Sequence, residues 1–347
     1  MALEAITIVV LVGALIVILL SCEVFVNGIE WLGFRLGLAE TATGSVLAAI
    51  GTATPETVIP VIAIFFSGTA EGKEIGEGAI LGAPFMLGTL AMFVGGLAVM
   101  IAYKRGKRDA NLVLHENHAK RDLEYFMLAY AFVLITGLLG MQSAFDPTFI
   151  KYGVAVMLVG AYIFYVRRTL RDKCVVEESS CPALYLTRLT GFSPTSRVGM
   201  PLIMYQVIAA LIGIIVGAKL FVGEIETVAT SLKVDAMILA FLIAPIATEL
   251  PEKFNSVIWY WRSKDTLALG NITGAMVFQS SIPVSIGLVF TAWSLSWINI
   301  AAVMIALGAA GWMYYSVRIR HTMSYKVMLA SGSLYVLYIL LLLVFGH

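Results

Sequence analysis

Two short runs carry most of the chemistry available to this sequence: Gly51-Thr52-Ala53-Thr54-Pro55-Glu56 and Ala247-Thr248-Glu249-Leu250-Pro251-Glu252. Both lie inside long apolar stretches. Each sets a threonine four residues before a glutamate, a spacing that puts hydroxyl and carboxylate on one helix face. A charged side chain at the bilayer centre costs roughly 2.5–3.5 kcal/mol or more on insertion scales, so two in matched settings point to a site. Two carboxylates with several neutral oxygens suit a hard divalent cation such as calcium. The apolar stretches hold no histidine and one thiol, Cys22, which disfavours a soft transition metal. Each proline removes a backbone donor and signals a helix break. The freed carbonyls are tolerated in a membrane where they face protein or a watery cavity. A buried pair of helix-capping glutamates is the plainer alternative, but capping does not require the same Thr-x-x-Pro-Glu twice.

Glu249 has no counterpart in the first run, where Ala53 stands. It lies three residues before Glu252, so the two can share a face. Three carboxylates around one divalent ion leave excess negative charge, which favours a proton on one of them for part of a cycle. Glu249 is the candidate carrier of that coupling proton; otherwise it lines a vestibule and attracts cations. Gln279 is a second coupling-ion candidate, an amide beyond Gly270 and Gly274, and Asn271 lies on the same stretch. Glu23 is a third. Lys219 takes its position in the second half, and the two either pair or Lys219 snorkels. Lys253 points about 100° away from Glu252 and faces elsewhere. Gly78, Gly82, Gly270 and Gly274 form two small-xxx-small steps, which read as packing around the site rather than as ligands.

Membrane helices must position these residues. Of 347 residues, 60% are hydrophobic and 13% charged, with a mean hydropathy of +0.91. Soluble domains carry about 25% charged residues, so a soluble enzyme and a disordered chain are excluded. The net charge of +1 gives no reason to expect nucleic-acid binding. Apolar stretches at 4–33, 41–67, 76–102, 124–141, 147–166, 199–230, 235–261, 266–292, 296–316 and 326–346 predict an all-α protein with ten transmembrane helices. With ten spans, eighteen basic residues fall on one side and three, Lys73, Lys151 and Lys233, on the other. That bias marks the cytoplasmic side. Both termini are therefore expected outside and the 169–198 loop in the cytoplasm, in a multi-pass protein of the plasma membrane. The loop's Cys174 and Cys181 match no strong zinc pattern. It reads as a solvated linker, and His115 and His118 read as solvated loop residues.

The sequence also repeats itself. Residues 21–56 align without a gap on 217–252, with ten identities that include Glu30/Glu226, Thr52/Thr248, Pro55/Pro251 and Glu56/Glu252. A second block, Gly78–Ala83 on Gly270–Ala275, follows at an offset of 192. Five spans separate equivalent points, and an odd number reverses direction. The expected organisation is two inverted five-helix repeats, 1–168 and 199–347, joined by the linker 169–198. This is an architecture of secondary transporters with a site near the midplane.

Taken together, the two glutamate runs, each followed by a Gly-x-x-x-Gly helix, resemble the α-repeats of the calcium/cation antiporter superfamily, of the sodium/calcium exchanger type. Phe25-Val26-Asn27-Gly28 resembles that family's first-helix segment. The resemblance implies that Glu56 and Glu252 ligate calcium, that Thr52 and Thr248 add oxygens, and that the first and sixth helices slide against the core without ATP. The sequence departs from the sodium-coupled pattern where that pattern has hydroxyls: Ala53 and Glu249, and Ala83-Pro84 and Ala275-Met276 after the glycines. The later polar position holds Leu87 in one half and Gln279 in the other. Losing sodium ligands while gaining a carboxylate fits proton coupling, although the motifs are not those of the typical proton/calcium branch; sodium or proton stays open.

The expected function is secondary exchange of a divalent cation, calcium foremost, for sodium or protons. No cofactor is expected beyond the transported cations, and no partner beyond the bilayer and those ions. Two other classes compete. A membrane-embedded hydrolase would use the glutamates as acid/base groups, but the nucleophile, paired-Asp site or His-ligated metal of such enzymes is not evident. A passive channel would show flux independent of a counter-ion.

Overall fold

Lipid offers a backbone no hydrogen-bond partners, so a chain this apolar closes its main chain into helices. A computed structural model describes residues 2–35, 54–114, 116–140, 148–171, 184–190, 199–232, 236–261, 263 and 265–345. The helices are α1 (Ala2–Arg35), α2 (Thr54–Phe66), α3 (Ala70–Met86), α4 (Met92–Lys104), α5 (Glu116–Gly140), α6 (Thr148–Arg171), α7 (Tyr185–Thr190), α8 (Met200–Leu232), α9 (Ala236–Trp261), α10 (Asp265–Gln279), α11 (Ile282–Phe290), α12 (Trp297–Ile319) and α13 (Tyr325–Phe345). A π-helical turn, Leu87–Ala91, joins α3 to α4. The one departure from an all-helical chain among the described residues is a two-residue antiparallel ladder, β1 (Asn111–Leu112) with β2 (Met323–Ser324).

Among the described residues eight helical segments are long and apolar enough to cross a membrane: 6–25, 70–104, 117–140, 148–169, 200–231, 268–290, 297–319 and 325–342. The shorter α2 is apolar from Glu56 to Phe66, and α9 carries the second glutamate run. The helical run of α9 continues across Pro251, where the sequence signals a break. α5 begins at Glu116, earlier than hydropathy places it. His118 therefore lies on a helix, not in a loop, and Arg121 and Asp122 are buried rather than solvated.

The helices divide into two compact units: residues 1–75 with 163–239, and residues 76–162 with 240–347. Each unit thus draws on both halves of the sequence. In the first, α1 and α8 run antiparallel at close range. A Cβ placed on Gly28 would lie 2.8 Å from Val207 Cγ2, one on Gly213 2.3 Å from Ser21 Oγ, and one on Gly217 2.7 Å from Ile18 Cγ1. Small residues permit this approach, because lipid supplies no hydrophobic drive for helices to pair and the attraction must come from contact. α2 packs against both partners.

In the second unit α5 packs on α10 and α12, and α13 on α4 and α12. Phe85, Phe241 and Tyr338 cluster with ring centroids 4.8–5.1 Å apart. Arg108 grips Asp265 at the start of α10 through both guanidinium arms, at 2.7 and 2.8 Å. Val113 N–H donates to the same carboxylate at 2.8 Å. The β1 region is so tied to α10. α3 meets α9 through a proline and a glycine. Pro245 has no N–H to bond the Phe241 carbonyl, and a Cβ on Gly82 would sit 2.2 Å from that oxygen. Backbone C–H and carbonyl come together where a side chain would intrude. Gly270, expected from the sequence to pack in the same way, has nothing within 4 Å of such a Cβ.

This asymmetry yields a paired test. Gly82→Ala forces backbone to shift and should destabilise by about 1–3 kcal/mol, the usual cost of overpacking. Gly270→Ala should leave thermal stability in detergent unchanged or slightly raised, because alanine favours helix. Equal melting temperatures for the two variants would contradict the packing described.

Candidate functional site

α9 and α10 form a helical hairpin, turning at Ser263, which adopts a positive φ of 57°. Two polar rungs cross it. At the turn end, Asn271 Nδ2 donates to Ser256 Oγ at 2.9 Å. About two helical turns deeper, roughly 11 Å along the axes, Gln279 Nε2 donates to Glu249 Oε1. Both residues of this deeper rung are fully buried, at 0% and 1% exposure. The amide hydrogen bond orients the carboxylate without adding charge of its own. The opposite end of the amide, Gln279 Oε1, is a buried acceptor with no hydrogen-bond donor among the described residues. A buried carbonyl oxygen beside a carboxylate is the donor chemistry that hard cations take.

Gln279 also ends α10. Ser280 and Ser281 turn the chain, and α11 starts at Ile282 with Pro283 in its first turn. Buried hydroxyls satisfy the broken backbone: Ser281 Oγ donates to Val277 O at 2.7 Å and Ser285 Oγ to Ser281 O at 2.7 Å. Shifted back by the repeat offset of 192, the segment 279–283 falls on 87–91, the span of the π-turn. In both halves the helix after the glycine step departs from regular α geometry at the same relative position. Leu87 stands in the first half where Gln279 stands in the second.

Glu56 belongs to the other compact unit, in the first turn of α2, and is buried at 5% exposure. Pro60, four residues on, supplies no N–H to the Glu56 carbonyl. Thr52 lies outside the described residues. Thr248 and Glu252 are on α9, and their side chains lie outside the described residues. The geometry therefore joins Glu249 to Gln279 and buries Glu56. Glu23 stands elsewhere: it is exposed on α1 and accepts a 2.5 Å hydrogen bond from Tyr185 Oη. Lys219 is also exposed, and among the described residues no ion pair joins it to Glu23.

Other buried charges escaped the sequence reading. Glu77 on α3 accepts from Trp293 N–H at 3.0 Å, with the Lys151 ammonium acting on it electrostatically. Lys151, assigned from the sequence to an outer loop, is buried and donates to the carbonyls of Thr291 and Ala292, each at 3.1 Å. Asp122 accepts from Thr273 Oγ1 at 2.8 Å and lies 3.9 Å from Arg121 Nε. These contacts brace loops and helix ends. A charged residue near the end of an apolar stretch is the signal that marks them.

Comparison with known proteins follows the same lines. Residues 6–170 and 202–344 match the family described as sodium/calcium exchanger protein. The uncharacterized membrane protein MJ0091 of Methanocaldococcus jannaschii is 22% identical over 280 residues, 80% of this chain and 79% of that protein. The putative antiporter CaxA of Alkalimonas amylolytica is 24% identical over 283 residues, 81% of this chain and 79% of that protein. Among solved structures, the H+/Ca2+ exchanger CAX superposes with a TM-score of 0.73 at 14% identity, covering 97% of this chain and 82% of that one. The sodium-calcium exchanger NCX_Mj, soaked with zero Na+ and Ca2+, gives 0.57 at 19% identity, covering 97% and 98%. Likeness at such identities is likeness of fold, whereas the family match spans most of the sequence: this chain belongs to the sodium/calcium exchanger family.

Proposed function

We propose that this protein is a secondary antiporter that exchanges a divalent cation, calcium, for protons or sodium across a membrane by alternating access. The observation that carries the reading is Glu249, fully buried on the helix that also bears the repeated Thr-x-x-Pro-Glu and hydrogen-bonded by Gln279 of the next helix. A carboxylate at that depth is costly unless a counter-charge answers it, and a transported cation or proton supplies one in turn. Calcium as cargo is supported by the relatives, whose names span both H+/Ca2+ and Na+/Ca2+ exchange.

On this reading Glu56 and Glu252 are the paired calcium ligands, with Thr52 and Thr248 contributing oxygens. The sequence repeat supports that pairing. Ten spans in two inverted five-helix repeats, 1–168 and 199–347, with the 169–198 linker in the cytoplasm and both termini outside, complete the proposed topology. The charge bias of the loops supports it. The plasma membrane is the proposed location.

The counter-ion is proposed to be the proton, carried by Glu249. Calcium arriving at three carboxylates carries two charges, so one carboxylate must hold a proton or take another cation when the site changes occupancy. Glu249 is the one present in a single half, and its amide partner holds it ready to ionise when calcium displaces the proton. The hydrolase alternative finds no support in a family of exchangers. A channel differs in outcome, because its flux persists without any ion on the opposite side.

Two experiments follow. In proteoliposomes, calcium uptake should be driven by an imposed proton gradient and should cease in Glu56→Gln and in Glu252→Gln. Glu249→Gln should abolish its dependence on the proton gradient. Uptake that follows sodium alone and survives Glu249→Gln would overturn proton coupling through this residue. Second, Gln279→Leu removes a hydrogen bond to a charged group, about 1.5–3 kcal/mol. The calcium concentration giving half-maximal uptake should rise by roughly tenfold or more. An unchanged value would show that the amide has no part in cation binding.

A further inference from the structure

The linker between the sequence halves looks like a passive tether in the sequence, yet part of it is built into the first compact unit. Leu184 is completely buried and packs with Ile203 and Val207 of α8; Phe25, Trp31 and Leu32 of α1 close around them. The two N–H groups that open α7 are each taken by a side chain from a different helix. Tyr185 N–H donates to Asn27 Oδ1 on α1 at 3.0 Å. Leu186 N–H donates to Gln206 Oε1 on α8 at 3.0 Å. The two acceptors are themselves joined, Gln206 Nε2 donating to Asn27 Oδ1 at 3.0 Å and to the Val24 carbonyl at 2.9 Å. Asn27 and Gln206 are buried at 5% and 1% exposure. Thr187 Oγ1 closes the turn on the Leu184 carbonyl at 2.6 Å, and Tyr185 Oη reaches Glu23.

We propose that Leu184–Thr187 is a clasp that fastens α1 to α8 at the linker end of the pair, so that the linker sets how readily these two helices move as one body. Three features argue for a built device over incidental packing. The polar groups are matched donor to acceptor across three elements, and a buried amide side chain left unmatched costs about 1–3 kcal/mol. The clasp sits where the helices already touch, since Gly28 meets Val207 and the Gln206 amide. A single segment engages both helices, which neither helix-to-helix contact nor lipid replaces. The consequence is that breaking the clasp changes transport turnover without touching a cation ligand. That part rests on the antiport reading above.

The test uses the full chain in lipid nanodiscs and proteoliposomes. Amide hydrogen exchange should show Tyr185 and Leu186 protected. Gln206→Leu should lower that protection, and that of the α1 amides around Val24–Gly28, by about tenfold, the equivalent of one or two hydrogen bonds. Leu184→Ala should act in the same direction by removing the apolar wedge. Asn27→Asp keeps the acceptor oxygen for both donors and should preserve protection where Asn27→Leu loses it. In calcium uptake, Gln206→Leu and Asn27→Leu should reduce the maximal rate several-fold at an unchanged half-saturating calcium concentration, and Asn27→Asp should restore it. Unprotected Tyr185 and Leu186 amides in the native protein would overturn the clasp. So would native maximal rates in Gln206→Leu after protection is lost. Native protein that moves no calcium would refute the antiport reading instead, and exchange at Val24–Gly28 would then judge the clasp by itself: faster in Gln206→Leu supports it, unchanged refutes it.

Discussion

A negative charge inside a low-dielectric bundle has to be answered, and much of this structure follows from how each buried acid is answered. Asp265 meets the Arg108 guanidinium and the Val113 N–H. Glu77 meets a backbone N–H and lies in the field of Lys151. Asp122 meets a threonine hydroxyl with Arg121 nearby. Removing one member of a buried pair is strongly destabilising, so such acids are fixed parts of the scaffold. Glu249 takes a hydrogen bond from the neutral amide of Gln279, which gives it direction. An acid oriented by a neutral amide can exchange one cation for another without losing its position. Under the proposed antiport it is orientation by an amide, not burial, that suits Glu249 to handling ions, since all four acids are buried to a similar degree.

The second constraint is that helices in lipid gain little by hiding apolar surface and must bind by fit. The α1–α8 pair meets through glycine at Gly28, Gly213 and Gly217. The α3–α9 contact combines a carbonyl left without its helical donor by Pro245 with the bare backbone of Gly82. In a soluble protein water would hydrate that carbonyl. Here a close backbone neighbour takes that role, and glycine is the residue that permits it. At Pro245 a proline and a glycine therefore work as a pair across the α3–α9 interface.

The same constraints explain what could be read from the sequence. Helix positions were legible because the backbone constraint acts on every apolar stretch alike: among the described residues eight helical segments long and apolar enough to cross a membrane fall within or overlap predicted spans. Glu249 and Gln279 were both singled out, one as an acid without a counterpart and one as an amide beyond the glycine pair. Their direct hydrogen bond was not, because it depends on the register of the α9–α10 hairpin. Lys151 and Glu77 were missed because their partners are backbone groups far away in sequence, and backbone groups leave no compositional trace. Arg121 and Asp122 looked like loop residues because charge at the edge of an apolar stretch normally marks the edge of the helix. The linker's Leu184 and Tyr185 gave no periodic signal in so short a segment, while Asn27 stood out only through the Phe-Val-Asn-Gly resemblance.

The halves of the sequence agree in Thr-x-x-Pro-Glu and in the place where the following helix is interrupted, and they differ in what they put beside those features. One half has Ala53 and Leu87, the other Glu249 and Gln279. Under the proposed antiport, the duplicated glutamates supply two like charges for a doubly charged cargo, and the proposed inverted repeats would present them to both sides of the membrane. Coupling needs something more, because a site that binds one ion identically in every state cannot make its passage depend on another. An ionisable group confined to one half, held by an amide confined to the same half, meets that requirement. On that reading alanine and leucine at the equivalent positions leave the other half without a competing proton site, so the shared residues account for the proposed cargo and the differing ones for the proposed coupling.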